Sequence, residues 1–240
     1  MNEQEWDEFA EEYYMVQKES EFPIARDLRR YLKEQKLLPA KELVDVAGGA
    51  GRYLTLAKDT MHYELIDFSG EMLAFAEQEA KEMNLSDCHF LKKTFSDFLE
   101  SNQRYALVLS VANPVLTKNE QLERLRSKAK KACLVMRVIE SSDDVFDPLE
   151  VSLGLETMNI HTSPLTMEQF ESYLMKQKIP YKIKDFTYTS QETITRDFLE
   201  EYYDEFAAEP TFSVAVKNIF KENKQVISTK KLTYRLLVVF

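Results

Sequence analysis

KELVDVAGGAGRYLTLA, residues Lys41 to Ala57, breaks from an apolar run into three glycines within four positions: Gly48, Gly49 and Gly51. The whole chain holds only five glycines in 240 residues, so the cluster marks a place where the backbone needs freedom. Glycines that end a strand let the chain turn tightly into a helix. They also let a ligand approach the backbone with no Cβ in the way. In an open α/β sheet, ligands bind at the carboxyl ends of the strands, near the point where the strand order reverses. A bare strand-to-helix turn with no ligand is the alternative reading of the same residues.

The flanking sequence alternates between strands and helices. ELVDVA (Glu42 to Ala47) reads as a first strand, followed by a helix over about 51–59. YELIDF (Tyr63 to Phe68) is a second strand, and Ser69 is a good N-cap for the helix GEMLAFAEQEAKEM, which Asn84 closes. CHFLKK is a third strand. YALVLSVA (Tyr105 to Ala112) is a fourth, its nearly continuous apolar character fitting a parallel strand buried on both faces. Asn119 is expected to cap EQLERLRSKAKK, and ACLVMRVI (Ala132 to Ile139) makes the fifth strand. Strands alternating with helices at this spacing mean a doubly wound α/β sheet.

Beyond Ile139 the rhythm changes. Residues 141–163 have no clear period, and a link of that length is functional or hides a short element. TMEQ (Thr166 to Gln169) reads as a capping box starting a helix to about Lys178. YKIKDFTYT is a sixth strand, two helices follow near 195–208 and 211–223, and KLTYRLLVVF is a seventh strand. Ahead of the first strand, residues 3–19 carry Trp6, Phe9, Ala10, Tyr13 and Val16 at helical spacing. Pro23 opens a second helix with Ile24, Leu28, Tyr31 and Leu32 as its apolar stripe.

The net charge is −10, from 31 basic and 41 acidic residues. Nucleic-acid affinity comes largely from Lys and Arg neutralising phosphates, so that class of partner is disfavoured. The basic run RLRSKAKK (Arg124 to Lys131) reads as the solvated face of a helix. Cys88 and Cys133 form no CxxC pair and sit in or beside apolar runs, as buried free thiols of a reducing cytosol do. MNEQEWDEFAEEYY lacks the basic and apolar regions of a signal peptide. No apolar run approaches the ~20 residues that span a bilayer. The expectation is a soluble, cytoplasmic protein with no membrane partner.

The second strand ends in Asp67, sixteen residues after Gly51. A carboxylate there can accept both hydroxyl hydrogen bonds of a ribose, and an ionised acceptor strengthens them. Ser69 already serves as the helix cap, which favours the ribose reading over a merely structural Asp67. A dinucleotide fingerprint is G-x-G-x-x-G/A. Counting from Gly49 gives Gly49, Gly51 and then Leu54, so the pattern is a poor match for NAD.

At this point the chain resembles the class I S-adenosylmethionine-dependent methyltransferases of small-molecule type. LVDVAGGAGRYL resembles that family's first motif, and LIDFSGEMLAFAE its second, with Met72 on the helix after the acidic residue. WDEFAEEYY resembles a segment that such members place over the cofactor. The resemblance implies a Rossmann-like fold: a mostly parallel seven-stranded sheet, helices on both faces and N-terminal lid helices. It divides the chain into a lid at 1–38 and an S-adenosylmethionine-binding core at 39–240. A substrate-covering insertion would lie around 141–165, with helices at 194–223. The backbone from Ala47 through Gly48 and Gly49 to Gly51 would pass under the methionyl part. Asp45 would hold the loop and the cofactor amino group, Asp67 the ribose, and Phe68 the adenine. Ser110 lies in the segment 109–113 that would face the sulfonium and the incoming substrate. Tyr13 and Tyr14 would close over the site. Ala47 replaces the family's first glycine, an exchange that fits if its φ stays negative. Thr94 and Phe95 stand where members often carry an acidic residue toward the adenine amino group.

Methyl transfer from a sulfonium is an in-line displacement, in which holding donor and nucleophile aligned supplies much of the rate. A base is needed only if the nucleophile must lose a proton early. Of the three histidines, His62 and His89 read as structural, and His161, in NIHTSP, is the best general-base candidate. Their spacing shows no metal motif. In SVANPV, Asn113 is a candidate substrate contact and Pro114 ends the strand. Trp6 and Tyr202, with Phe9, Tyr203 and Phe206, are aromatic candidates for an apolar substrate pocket, although aromatics at helical spacing are more often core. The expected function is methyl transfer from S-adenosylmethionine to a small-molecule acceptor. A non-catalytic S-adenosylmethionine-binding module is the alternative, and an NAD-linked oxidoreductase a weaker one.

Overall fold

The computed structural model describes residues 2–155 and 162–240. Two helices, α1 (Glu3–Glu19) and α2 (Ile24–Glu34), precede the first strand. The alternating part follows as β1 (Ala40–Val46), β2 (Thr60–Asp67), α3 (Gly70–Glu82), β3 (Cys88–Lys92), α4 (Phe95–Glu100), β4 (Tyr105–Val111) and α5 (Asn119–Ser127). Then come β5 (Ala129–Asp143), α6 (Phe146–Ser152), α7 (Leu165–Lys176), β6 (Tyr181–Thr195), α8 (Arg196–Tyr202), α9 (Pro210–Phe220) and β7 (Gln225–Val239).

The seven strands form one sheet in the order β3-β2-β1-β4-β5-β7-β6. β1 pairs in parallel with β2 and β4, β2 with β3, and β4 with β5. β7 runs antiparallel to β5, with Asp144 N donating to Thr229 O and Thr233 Oγ1 to Glu140 Oε2, and antiparallel to β6. Thr187 meets Thr233 and Asp185 meets Arg235, so each step forward along β6 is a step back along β7. The expected mostly parallel, doubly wound sheet is therefore present. From β1 the chain winds outward through β2 to β3, then returns to β4 on the other side of β1. The strand order reverses between β1 and β4, and the crevice at such a point lies beyond the carboxyl ends of the strands. Leu43, Val44 and Val46 of β1 and Leu107, Val108 and Leu109 of β4 are fully buried. Consecutive burial of this kind replaces alternation when both faces of a sheet are covered.

The chain separates into two units. One comprises residues 1–137, 165–185 and 235–240; the other, 138–164 and 186–234. The second has its own apolar core, in which Val145, Leu149, Leu199, Phe212, Val216 and Phe220 are buried together. The unpatterned stretch after the fifth strand does hide a short helix, α6.

Local chemistry explains where elements start and stop. Asn2 and Glu5 cap α1 reciprocally, with Glu5 N donating to Asn2 Oδ1 at 3.0 Å and Asn2 N to Glu5 Oε2 at 2.7 Å. The helix expected over 51–59 is a six-residue 3-10 turn, Leu54–Asp59. Few residues separate the glycine loop from β2, and a 3-10 turn gains more length per residue than an α-helix. Lys118, not Asn119, is the residue before α5, and α5 stops at Ser127. The basic run therefore divides. Lys130 and Lys131 belong to β5, where Lys130 Nζ meets Glu42 Oε2 at 3.1 Å and Lys131 Nζ donates to Lys36 O at 2.6 Å. α7 starts at Leu165, one residue before the expected cap, and Gln169 Nε2 donates instead to Thr117 O at 3.3 Å.

Candidate functional site

The loop after β1 sits at the strand-order reversal. Its backbone is left-handed at Ala47 (φ 58°), Gly49 (54°) and Gly51 (81°). The expectation of a negative φ at Ala47 is thus corrected. A left-handed conformation costs an L-residue roughly 1–2 kcal/mol, and the tight turn imposes it here. Gly48 is needed for a different reason. A Cβ there would lie 2.6 Å from Leu65 Cγ and 3.1 Å from Asp45 Cγ. The three glycines therefore serve two left-handed turns and one close approach.

Two carboxylates support this loop. Asp67, at the end of β2, accepts from Gly49 N at 2.9 Å through Oδ2 and from Ser69 N at 3.0 Å through Oδ1. Its side chain ties the glycine loop to the start of α3. Burial raises its pKa, and the backbone N–H groups oppose that shift. Asp45, near the end of β1, is 1 % exposed. The Tyr63 hydroxyl donates to Asp45 Oδ2 at 2.9 Å. Its other oxygen, Oδ1, is buried with no hydrogen-bond partner among the described residues. Burial pushes the Asp45 pKa up to about 7, against the Tyr63 hydrogen bond and with the charge of Asp67 adding to the rise. An unsatisfied buried acceptor is costly, so a cationic or N–H group brought to the loop has a waiting partner. The residues present fit an amino-bearing, ribose-bearing ligand.

α1 lies against this loop. The position a Cβ would take at Gly49 is 3.6 Å from Tyr13 Cε1 and 3.9 Å from Met72 Sδ. Burial raises the Tyr13 hydroxyl pKa. Trp6, Phe9 and Tyr13 pack mutually, with ring centroids 6.0–6.2 Å apart. Ala10, Tyr14, Ala50 and Met72 are buried together, with Trp6, Tyr13 and Phe75 packed against them. Tyr14 turns away from the glycines: it stacks on Phe75 at 4.7 Å and donates to Glu79 Oε2 at 2.9 Å. Lys18 continues that seam, with Nζ 2.8 Å from Glu79 and 3.1 Å from Glu82. The sequence reading missed Asp7. Its Oδ1 accepts from Ser69 Oγ at 2.5 Å and from Glu71 N at 3.2 Å, placing a carboxylate on the first turn of α3. Those bonds, the Ser69 one foremost, hold its pKa below the usual carboxylate value. The acidic-residue preference at helix N-termini was the available signal, but a donor helix elsewhere in the chain concealed it.

The other candidates fall into place around or away from this centre. Ser110, in β4, donates to Val46 O at 3.1 Å and accepts from Asn113 Nδ2 at 3.2 Å. Asn113 Oδ1 accepts from Val115 N at 3.1 Å. Both residues are buried and brace the carboxyl ends of β1 and β4 against each other. Arg137 Nη1 donates to Asn113 O at 2.9 Å and Leu116 O at 3.1 Å, bracing the same turn. Thr94 is exposed and caps α4, accepting from Asp97 N at 3.1 Å and donating to Asp97 Oδ2 at 2.7 Å. Phe95 is buried and Phe68 half-buried. Tyr202 belongs to the second unit, where it stacks on Phe198 with centroids 5.8 Å apart. His161 lies outside the described residues. A cavity of about 530 Å³ between α6 and α9 also belongs to the second unit and is lined mainly by apolar groups. The convergence of glycine backbone and buried carboxylates, not that cavity, marks the candidate site.

Residues 43–134 match the family model of a methyltransferase domain. The matched span contains the glycine loop, both carboxylates and Ser110. No curated protein matches the chain by sequence. Among solved structures, the plantazolicin methyltransferase BpumL, bound to a desmethyl substrate analog and S-adenosylhomocysteine, is 13% identical. The match covers 98% of this chain and 93% of that one, with a TM-score of 0.54. Magnesium protoporphyrin IX methyltransferase from Synechocystis PCC 6803, with bound S-adenosylhomocysteine, is 14% identical over 90% of this chain and 81% of that one, TM-score 0.53. Precorrin-6y C5,15-methyltransferase from Geobacter metallireducens GS-15 is 9% identical over 89% of each chain, TM-score 0.53. At these identities the likeness is one of fold.

Proposed function

We propose that the chain is a class I S-adenosylmethionine-dependent methyltransferase that transfers a methyl group from S-adenosylmethionine to a small-molecule acceptor, a reading supported by the methyltransferase-domain match over residues 43–134. The observation that carries the reading is Asp45 Oδ1, buried beside the glycine loop with no hydrogen-bond partner among the described residues. An amino cation on the ligand would satisfy it. When bound, the cofactor supplies an electrophilic methyl on sulfur.

The chain's own residues bind, orient and dry the site. The Gly48–Gly51 backbone would pass beneath the methionyl part of the ligand, its turn held close against Leu65 and Leu54. Asp67, already holding Gly49 and Ser69, keeps lone pairs for a ribose hydroxyl. Tyr13 and Trp6 present ring faces that exclude water, which strengthens electrostatic contacts inside a closed site. Ser110 and Asn113 act as braces for the strand ends. Alignment of donor and acceptor is then the main source of rate, with no dedicated base required. The acidic net charge and the aromatic groups on α1 support a small, partly apolar acceptor over a nucleic acid.

Two measurements test this reading. S-adenosylhomocysteine should bind in calorimetry, and Asp45→Asn should weaken it. Turnover of tritiated S-adenosylmethionine against acceptors of graded size then separates an enzyme from a binding module. Binding without turnover on any acceptor would leave the module reading standing.

A further inference from the structure

β3 is an edge strand, and its register with β2 sets Glu64 beside His89. Side-chain alternation then places His62, Glu64 and His89 on one face of the sheet. Asp87, just before β3, joins them. Asp87 Oδ1 lies 3.3 Å from His62 Nδ1 and 3.2 Å from His89 Nε2. The two imidazole centroids are 4.5 Å apart, and the three donor atoms all lie within 4.8 Å of one another.

We propose that His62, Asp87 and His89 form a binding site for a divalent transition-metal cation of the zinc type. A tetrahedral zinc with bonds of about 2.0–2.1 Å holds its ligand atoms about 3.3 Å apart. Both contacts to Asp87 already have that spacing. The two imidazoles close the remaining gap by ring rotation, which their partial exposure permits. Two imidazoles and one carboxylate suit zinc and its neighbours better than calcium or magnesium, which take oxygen ligands. Three protein ligands leave a fourth position for water.

The surroundings support the assignment independently. His62 Nε2, the nitrogen turned from Asp87, faces Glu64 Oε2 at 3.9 Å. Glu64 is buried and its other oxygen accepts from the Tyr105 hydroxyl. At that distance there is no hydrogen bond, but a small rotation of the ring toward Glu64 would give the ligating imidazole a carboxylate that orients it and raises its basicity. The Cys88 side chain points to the opposite face from His89 and takes no part. Asp67 lies five residue steps along β2 from His62, about 16 Å along the strand. The cation therefore does not reach the glycine loop. It pins the start of the edge strand to its neighbour.

The test titrates the full chain with Zn²⁺ by calorimetry and with Co²⁺ by visible absorption. The expected result is one equivalent bound, a four-coordinate Co²⁺ spectrum and a melting temperature raised by a few degrees in Zn²⁺. His62→Gln and His89→Gln should each weaken uptake at least tenfold, in the range seen for disrupted metal shells. Both variants should still bind S-adenosylhomocysteine as the parent does, which shows that they are folded. Absence of saturable uptake overturns the proposal. So does parental Zn²⁺ affinity in the His62→Gln/His89→Gln double variant.

Discussion

Asp67 Oδ2 accepts the Gly49 N–H at 2.9 Å, so the tip of β2 fixes the loop that leaves β1. The same carboxylate reaches Ser69 N, and through it the start of α3. Loop, strand and helix thus share one anion. Asp67→Ala is expected to weaken S-adenosylhomocysteine binding by about 10–100-fold, the range for loss of hydrogen bonds to a charged acceptor. It should also lower the melting temperature, because two backbone donors lose their partner. Unchanged affinity in calorimetry would confine Asp67 to the structural role.

Asp45 sets a pH dependence. Its pKa rises from 3.8 to about 7 on folding. Between those values the native state holds a proton that the unfolded chain has released. The contribution to stability is full below about pH 4 and is lost as pH rises through about 7. At 1.36 kcal/mol per pKa unit, the loss is of order 3–5 kcal/mol. Urea unfolding of the ligand-free protein should show it, and Asp45→Asn should flatten the curve. Ligand binding runs the other way. An amino cation prefers the ionised Asp45, so S-adenosylhomocysteine affinity should fall as pH drops below 7. A binding constant flat from pH 6 to 8 would place the ligand amino group elsewhere.

Ala47 and Gly48 are predicted to respond oppositely to substitution. Ala47 carries a φ of 58°, so Ala47→Gly relieves strain that exceeds the entropy it returns to the unfolded chain. The expected gain is about 0.5–1 kcal/mol, or about 1–4 °C in melting temperature for a chain of this size. Gly48→Ala should destabilise, because its Cβ would meet Leu65 Cγ at 2.6 Å. A stabilised Gly48→Ala protein would mean that the loop is free to move away from β2.

Much of this architecture is legible in the sequence, for definite reasons. β4 announces itself because burial on both faces produces a nearly unbroken apolar run. The glycine cluster stands out because glycine is otherwise rare. Asp67 is visible because it ends a strand at a fixed remove from that cluster. Other features depend on tertiary contact and leave no local trace. α4 is six residues long and has no room for a period. Lys130 and Lys131 read as helix surface, yet each finds a partner beside β5. His62 and His89 are far apart in sequence and meet only through the β2–β3 register. Asp7 caps a helix to which it does not belong. Tyr14 has the spacing of a site residue, but the stack on Phe75 and the bond to Glu79 turn it toward α3.

The last prediction concerns α1, whose length divides into two kinds of contact. Toward its carboxyl end, Tyr14 and Lys18 engage Phe75, Glu79 and Glu82 of α3. Toward its amino end, Trp6, Phe9 and Tyr13 pack on one another, Tyr13 lies beside Gly49, and Asp7 bridges to Ser69 and Glu71. The carboxyl-terminal half therefore docks without help from a ligand. The amino-terminal half is held by the Asp7 bridge, the exposed Glu3–Lys92 pair and the packing of half-buried Trp6 and Tyr13 on the cluster of Ala10, Ala50 and Met72. Closing segments of enzymes are drawn from such weakly held parts. Hydrogen exchange on the protein alone should be slow around Tyr14 and faster around Trp6 and Phe9. Saturation with S-adenosylhomocysteine should slow exchange around Trp6 to Tyr13 and leave the stretch near Tyr14 unchanged. Asp7→Asn removes the charge on the first turn of α3, so it should speed exchange at the amino end and weaken ligand binding while the sheet stays protected. Equal protection along the whole helix before and after ligand addition would make α1 a fixed part of the core and end its assignment as a lid.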